Sequence, residues 1–256
     1  MSAAKLLSPA FYNRDPRKVA RALLGKLLVR KTPRGLLAGR IVETEAYLGK
    51  GDEAAHSAAG KTARNAVLFG PPGFAYVYFI YGNHYCLNVS CLPDGEPGGV
   101  LFRALEPVAG IEQMARSRGI ERVLAASSVQ TKIVERRSSA LAGSRGNSGL
   151  AMAKESELRK ISSGPGRLSE ALGVTRDRDN GKNLASPHSD LQILDDEYRV
   201  PRVLVGPRIG ITKSAGQPLR YVIAGNPFVS GVQLRHDIRR GDLCAQPVKT
   251  VHRAPK

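Results

Sequence analysis

Tryptophan is absent from this chain of 256 residues, and cysteine occurs only three times, at Cys86, Cys91 and Cys244. An odd, small set without a C-x-x-C pair excludes a disulfide framework and a zinc ribbon, and it points to a reducing compartment, cytoplasm or nucleus. No apolar run approaches the roughly 20 residues of a membrane span, and Met1 to Asp15 lacks the apolar core of a secretory signal. No P-loop, dinucleotide fingerprint, Ser-His-Asp order or metal-ligating cluster stands out, so neither a metal nor another cofactor is expected.

Acidic charge is the other scarcity. Asp and Glu number 22 against 39 Lys and Arg, a net charge of +17. The excess is uneven: residues 1–40 carry ten basic side chains against the single acid Asp15, whereas residues 41–110 carry four against seven. A basic chain with a mildly acidic middle fits a polyanion binder whose central segment does something other than hold phosphate. Charge by itself does not separate DNA from RNA or from anionic lipid. An apolar fraction of 42% supports a packed core.

Periodicity and breakers predict the elements. Asp15-Pro16 caps a helix that runs to Leu24 and stops at Gly25. Strands are expected over Lys26 to Lys31, Leu36 to Leu48, Phe74 to Tyr81, His84 to Cys91 and Val100 to Leu105, the third and fourth joined by a two-residue Gly82-Asn83 turn. Pro107 is read as the start of a helix reaching about Arg118. Residues 119–163, rich in Arg, Ser, Ala and Gly, read as a partly flexible insertion holding one short helix. A helix over Arg167 to Leu172, strands over Arg202 to Val205, Arg208 to Ile211 and Leu219 to Ala224, and a basic tail over 232–256 complete the chain. This predicts one α+β domain over 1–231, monomeric, around a mainly antiparallel sheet.

In Ile41-Val42-Glu43-Thr44-Glu45-Ala46-Tyr47, alternation puts Glu43, Glu45 and Tyr47 on one face and the small or apolar residues on the other. The polar face is either a solvated edge or the floor of a pocket. Four of the eight tyrosines, Tyr76, Tyr78, Tyr81 and Tyr85, fall within ten residues. Tyr81 stands at a hairpin tip, where an aromatic either packs on a neighbouring loop or wedges into a base stack. Asn88 and Arg103 interrupt apolar strands and must find partners or line a site. Gly164-Pro165-Gly166-Arg167 leads into a helix start. These features would equally suit a non-catalytic binder of DNA or RNA.

Several blocks in order resemble the alkyladenine (3-methyladenine, methylpurine) DNA glycosylase family: Arg40 to Gly49, Asp52 to His56, Arg64-Asn65, Gly73 to Asn88, Val100 to Pro107, Gly164 to Leu168, Arg208 to Ile211 and Gly225 to Ser230. The resemblance implies a curved antiparallel sheet with surrounding helices and a protruding hairpin. It implies an enzyme that flips alkylated or deaminated purines from double-stranded DNA and hydrolyses the N-glycosidic bond without abasic-lyase activity, with no membrane partner. Glu45 would be the general base and Arg103 its support. Tyr47, His56 and Tyr78 would wall the flipped base, and the backbone at Ala54 and His56 would read its edge. Asn88 would crowd the amine of guanine, and Ile209 would lie under base or sugar. Tyr81 would be the wedge, and Arg64, Gly164, Gly166 and Arg167 would meet the DNA backbone.

Overall fold

A computed structural model of the protein describes residues 4–120, 148–231 and 234. The N-terminal arm carries β1 (Lys5–Leu6), a single helical turn α1 (Pro9–Tyr12) and helix α2 (Pro16–Leu23). In α2 the Asp15 carboxylate accepts from the Arg17 N–H while Pro16 fills the first turn, and Gly25 follows at φ +83°. Val19, Ala20 and Leu23 are buried against the sheet.

The sheet begins with β2 (Leu27–Thr32) and the 13-residue β3 (Gly35–Tyr47), continues with β4 (Ala75–Ile80), β5 (His84–Ser90) and β6 (Gly99–Ala109), and ends with β7 (Leu191–Asp195), β8 (Val203–Gly206) and β9 (Arg220–Ile223). All recorded strand pairings are antiparallel, in the order β1-β7-β2-β3-β6-β5-β4, with β8-β9 attached to β3. The α+β architecture with a curled antiparallel sheet is as the sequence predicts. Strand β3 organises it: β6 lies on one side, while β2 and then β9 share the other. Register shifts between Ile41 and Thr44 bulge β3 against β6, which bends the sheet where its carboxylates lie. The segment from α6 (Arg176–Asp179) to β7 closes the curl. Its Asn180–Asn183 stretch bonds the open edge of β4 through Val77, Gly181 and Ala75, and its next strand pairs β2. Covering that edge leaves no template for stray pairing there.

Three expectations are corrected. Pro107 lies inside β6, opposite Gly39; it is tolerated because β5 pairs β6 only over Gly99 to Leu101, so no partner on that side needs its N–H. The helix α3 (Ile111–Ser117) starts later, after Gly110. Arg208 to Ile211 is not a strand: its Ile209 N–H goes to the Glu45 carboxylate rather than to a ladder. The hairpin turn is Tyr81-Gly82, both at positive φ (54° and 73°), and Asn83 N–H closes it onto Ile80 O at 3.3 Å. Ile80 pairs His84, so Asn83 is an extra residue after the turn.

In the insertion, residues 121–147 fall outside the described set, as does nearly all of the 232–256 tail. Where a short helix is expected, the insertion carries α4 (Ser148–Ser162), 15 residues long, followed directly by α5 (Pro165–Ala171). The α4–α5 junction rides on β6: Ser162 Oγ donates to Leu105 O at 2.8 Å and Gly164 N–H to Arg103 O at 2.9 Å. Elements that the sequence reading did not anticipate are β1, α1, a 3₁₀ turn at Ala66–Phe69, α6 and β7.

Candidate active site

The bend in β3 leaves both of its carboxylates without any exposed surface. Two buried carboxylates on one strand need compensation, and each has its own set of partners. Glu43 Oε1 accepts from Arg103 Nε at 3.1 Å and Arg220 Nε at 2.6 Å, and Glu43 Oε2 accepts from Ser230 N–H at 2.7 Å. Glu45 Oε1 accepts from Ile209 N–H at 2.8 Å and lies 3.3 Å from Arg103 Nη1, while Glu45 Oε2 accepts a hydrogen bond from the Tyr47 hydroxyl at 3.1 Å. Arg103 thus spans the two acids. Burial pushes the Glu45 carboxyl above its usual range, with Glu43 adding to the push and Arg103, Ile209 N–H and Tyr47 opposing it. For Arg103, burial is outweighed by Glu45 and Glu43, which hold the guanidinium firmly charged.

Three of the groups around Glu45, namely Tyr47, Arg103 and Ile209, line a cavity of about 600 Å³. That size is within the range of about 300–1,000 Å³ usual for small-molecule sites. The polar face of β3 is therefore not a solvated edge: Tyr47 lines the cavity, while Glu45 and Glu43 lie behind the lining with no exposed surface. Aromatic rings dominate another wall. The His56 ring meets Tyr78 at 4.4 Å between centroids, near edge-on at 67°, and His56 Nδ1 bonds the Tyr76 hydroxyl at 2.8 Å. Loss of water around the ring, and secondarily Arg64, lowers the His56 pKa, so the imidazole is neutral at pH 7. Asn88 also lines the cavity, and its amide nitrogen donates to Tyr76 O at 3.2 Å. Ala54 lies beside His56 on the same wall.

Tyr81 is 81% exposed on the crest of the β4–β5 hairpin and lines the cavity together with Gly164, Gly166 and Arg167 of the α4–α5 junction. Gly166 lies so close to His84 that an added Cβ would come within 2.8 Å of its ring, which fixes the distance between junction and hairpin. Arg64 is exposed and outside the lining, near enough to His56 and Tyr76 to act on both electrostatically. Among the described residues no group of three His, Cys, Asp or Glu could hold a metal ion.

Residues 10–227 match the methylpurine-DNA glycosylase family over most of the chain. The chain belongs to that family. It is a DNA glycosylase, a hydrolase of N-glycosyl bonds in base excision repair, and DNA is its substrate. A relative from Koribacter versatilis is 61% identical over 225 residues, covering 88% of this chain and 93% of its own. Others from Burkholderia lata and Methanoculleus marisnigri are 41% and 40% identical, each over 88% of this chain and over 91% and 98% of their own. All three carry the name "Putative 3-methyladenine DNA glycosylase".

Several residues that shape this glycosylase's cavity escaped the sequence reading. Tyr76 stands out in the sequence only as a member of the tyrosine cluster, and nothing there marks it as the partner of His56. Asn65 pins the loop by donating to His56 O at 2.8 Å and Gly60 O at 2.9 Å. Glu43 was placed on the right face without its role as the anchor of Arg103. Leu101, Cys86 and Ser163 also belong to the lining, and β alternation from Arg103 and Asn88 points to the first two. The Asp52–Arg208 pair, both buried, joins segments 156 positions apart, and no local pattern announces such a pairing.

Proposed function

We propose that this glycosylase flips alkylated or deaminated purines out of double-stranded DNA and hydrolyses their bond to the sugar with Glu45 as general base, acting as a monofunctional monomer. The substrates in view are 3-methyladenine, 7-methylguanine, hypoxanthine and ethenoadenine. The observation that carries this reading is the placement of Glu45: a single carboxylate bonded to Tyr47, Ile209 N–H and Arg103, all three of which face an aromatic-walled cavity of about 600 Å³.

A base within the duplex is out of reach, so it must be rotated out at a cost of a few kcal/mol, least for a damaged pair. Stacking against Tyr47, His56 and Tyr78 returns roughly 1–3 kcal/mol per base. Tyr81, exposed on its crest, fills the gap left in the stack. A purine methylated at a ring nitrogen, such as 3-methyladenine or 7-methylguanine, is cationic, which favours electron-rich rings and makes the base a good leaving group. A neutral His56 adds no repulsion. Asn88 narrows the pocket against the exocyclic amine of guanine, and the backbone at Ala54 and His56 reads the purine edge.

In the chemical step the C1′–N bond breaks and its electron pair leaves with the base. The sugar passes through an oxocarbenium-like state. Ionised Glu45 stabilises that cation and accepts a proton from the attacking water, whose oxygen bonds to C1′. Arg103, held by Glu43, supports the water and the neighbouring phosphate. Among the described residues no lysine lines the cavity to attack the sugar as an amine. Arg64, Gly164, Gly166 and Arg167 meet the phosphate backbone, and the net charge of +17 makes affinity fall steeply with salt.

The test is Glu45→Gln on a duplex bearing one hypoxanthine, read as strand scission after hot alkali. Duplex binding is retained and single-turnover cleavage drops at least about 100-fold. Near-normal turnover would remove Glu45 from the reaction. Base release across the four lesions ranks the substrates.

A further inference from the structure

Resting on the reading just given, the geometry points to Asp52–Arg208 as a positioning device that holds the base-reading loop, Tyr47 and the backbone donor to Glu45 in one fixed arrangement. Neither side chain lines the cavity, and neither has measurable exposure. Arg208 Nη1 and Nη2 form a two-pronged pair with Asp52 at 2.6 and 2.7 Å, and Nη1 also donates to Ala46 O at 3.1 Å. The guanidinium lies 4.6 Å from the centroid of the Tyr47 ring. Asp52 in turn accepts from Leu48 N–H at 3.0 Å and Ala54 N–H at 3.2 Å. One residue beyond Arg208, Ile209 N–H reaches Glu45 at 2.8 Å.

The pair therefore ties three pieces of chain: the end of β3 with its reacting carboxylate, the loop that presents Ala54 and His56, and the strandless segment at Ile209. A buried ion pair adds little net stability over an apolar pair of equal volume. Its contribution here is geometric, because the flat fork of Arg fixes direction as an ammonium cannot. Other groups face Glu45 directly: Glu43 on the same strand, Arg103 from β6, Tyr47, and the Cys86 thiol on β5, which feels its charge. Arg220 of β9 stands opposite Glu45 in the register. Arg208 acts through Tyr47 and Ile209 alone, so disturbing it weakens two donors to the ionised form while Arg103 and Glu43 remain.

The test is the acid limb of the single-turnover rate on a hypoxanthine duplex, measured for wild type, Arg208→Lys and Asp52→Asn. The neutral double variant D52N/R208Q, which strands no buried charge, carries the test if the single variants do not fold. The expected result is an acid limb about one unit higher, so about tenfold slower cleavage below it. Fluorescence of ethenoadenine should also report a smaller flipped fraction in Asp52→Asn. A limb that stays where the wild type has it, in any folded variant, overturns the inference, because loss of folded enzyme lowers the amplitude without moving the limb. Glu45→Gln is run alongside. If it cleaves normally the proposed base is wrong; if it is inactive while the limbs coincide, only the positioning role fails.

Discussion

The Tyr47 hydroxyl donates to Glu45 Oε2 across 3.1 Å, and both residues are two steps apart on a strand whose polar face is turned inward. Burial leaves the carboxyl with a raised pKa, and the opposing donors decide how far. Glu45 must be ionised to accept a proton, so activity is present above its pKa in the folded enzyme and is lost as pH falls through it. The single-turnover profile should therefore show an acid limb above the ordinary value of 4.5. His56, with its pKa lowered below 6.5, is neutral across the neutral range and should add no inflection between pH 7 and 8. A limb at or below the ordinary carboxylate value would contradict the burial argument.

Tyr81 occupies the left-handed region at φ 54°, a conformation that a bulky residue adopts at some cost. Its ring is 81% exposed, so it contributes little packing. Tyr81→Asn should hold or raise stability by up to about 0.5 kcal/mol, because Asn accepts this conformation readily. The same change should reduce the flipped fraction of ethenoadenine several-fold by fluorescence. A loss of stability with flipping unchanged would place the ring inside the fold rather than in the duplex.

The parts legible in the sequence were those set by short-range rules. Alternation placed Glu43, Glu45 and Tyr47 on one face, the Asp15-Pro16 cap started α2, and a Gly-containing turn announced the hairpin. Pro107 misled because proline at a helix start and proline at an unpaired strand edge look alike until the neighbouring strand's length is known. Arg208 to Ile211 reads as a strand by composition, yet its donors go to Asp52 and Glu45, partners more than 150 positions away. Strand β7 and the closing segment at Asn180–Asn183 were missed for the same reason, since their partners Arg30 and Ala75 lie far off in the chain. Alternation said that the carboxylates share a face; it could not say that a bulge and three arginines, Arg103, Arg208 and Arg220, would make that face interior.

Glu43 has no exposed surface and holds two buried guanidiniums, so neutralising it strands positive charge. Glu43→Gln should cost about 3–5 kcal/mol in urea unfolding. Because the Glu43 charge helps to raise the Glu45 carboxyl, its removal should move the acid limb of cleavage downward. A purely structural Glu43 would destabilise the protein and leave the limb in place, so the two measurements separate the cases.

The closure of the curled sheet rests on Asp179, which is fully buried and accepts from Arg30 of β2 and from Lys182, at 2.9 Å in each case. Burial alone would raise its pKa, but Arg30, Lys182 and the Thr175 N–H outweigh that and depress it below 3.8; Asp52 is depressed in the same way by Arg208. A depressed acid stabilises the fold fully above its unfolded pKa and loses that contribution as pH falls through the folded one. Urea midpoints should therefore hold from pH 7 to about pH 5 and then decline progressively below pH 4 as these acids take up protons. Asp179→Asn should lower the midpoint at pH 7 by the equivalent of about 3–5 kcal/mol, since it leaves Arg30 buried with a weaker partner. It should also flatten the decline below pH 4, because one of the groups that drives it is gone. An equally steep acid limb in the variant would show that closure of the sheet does not depend on this carboxylate.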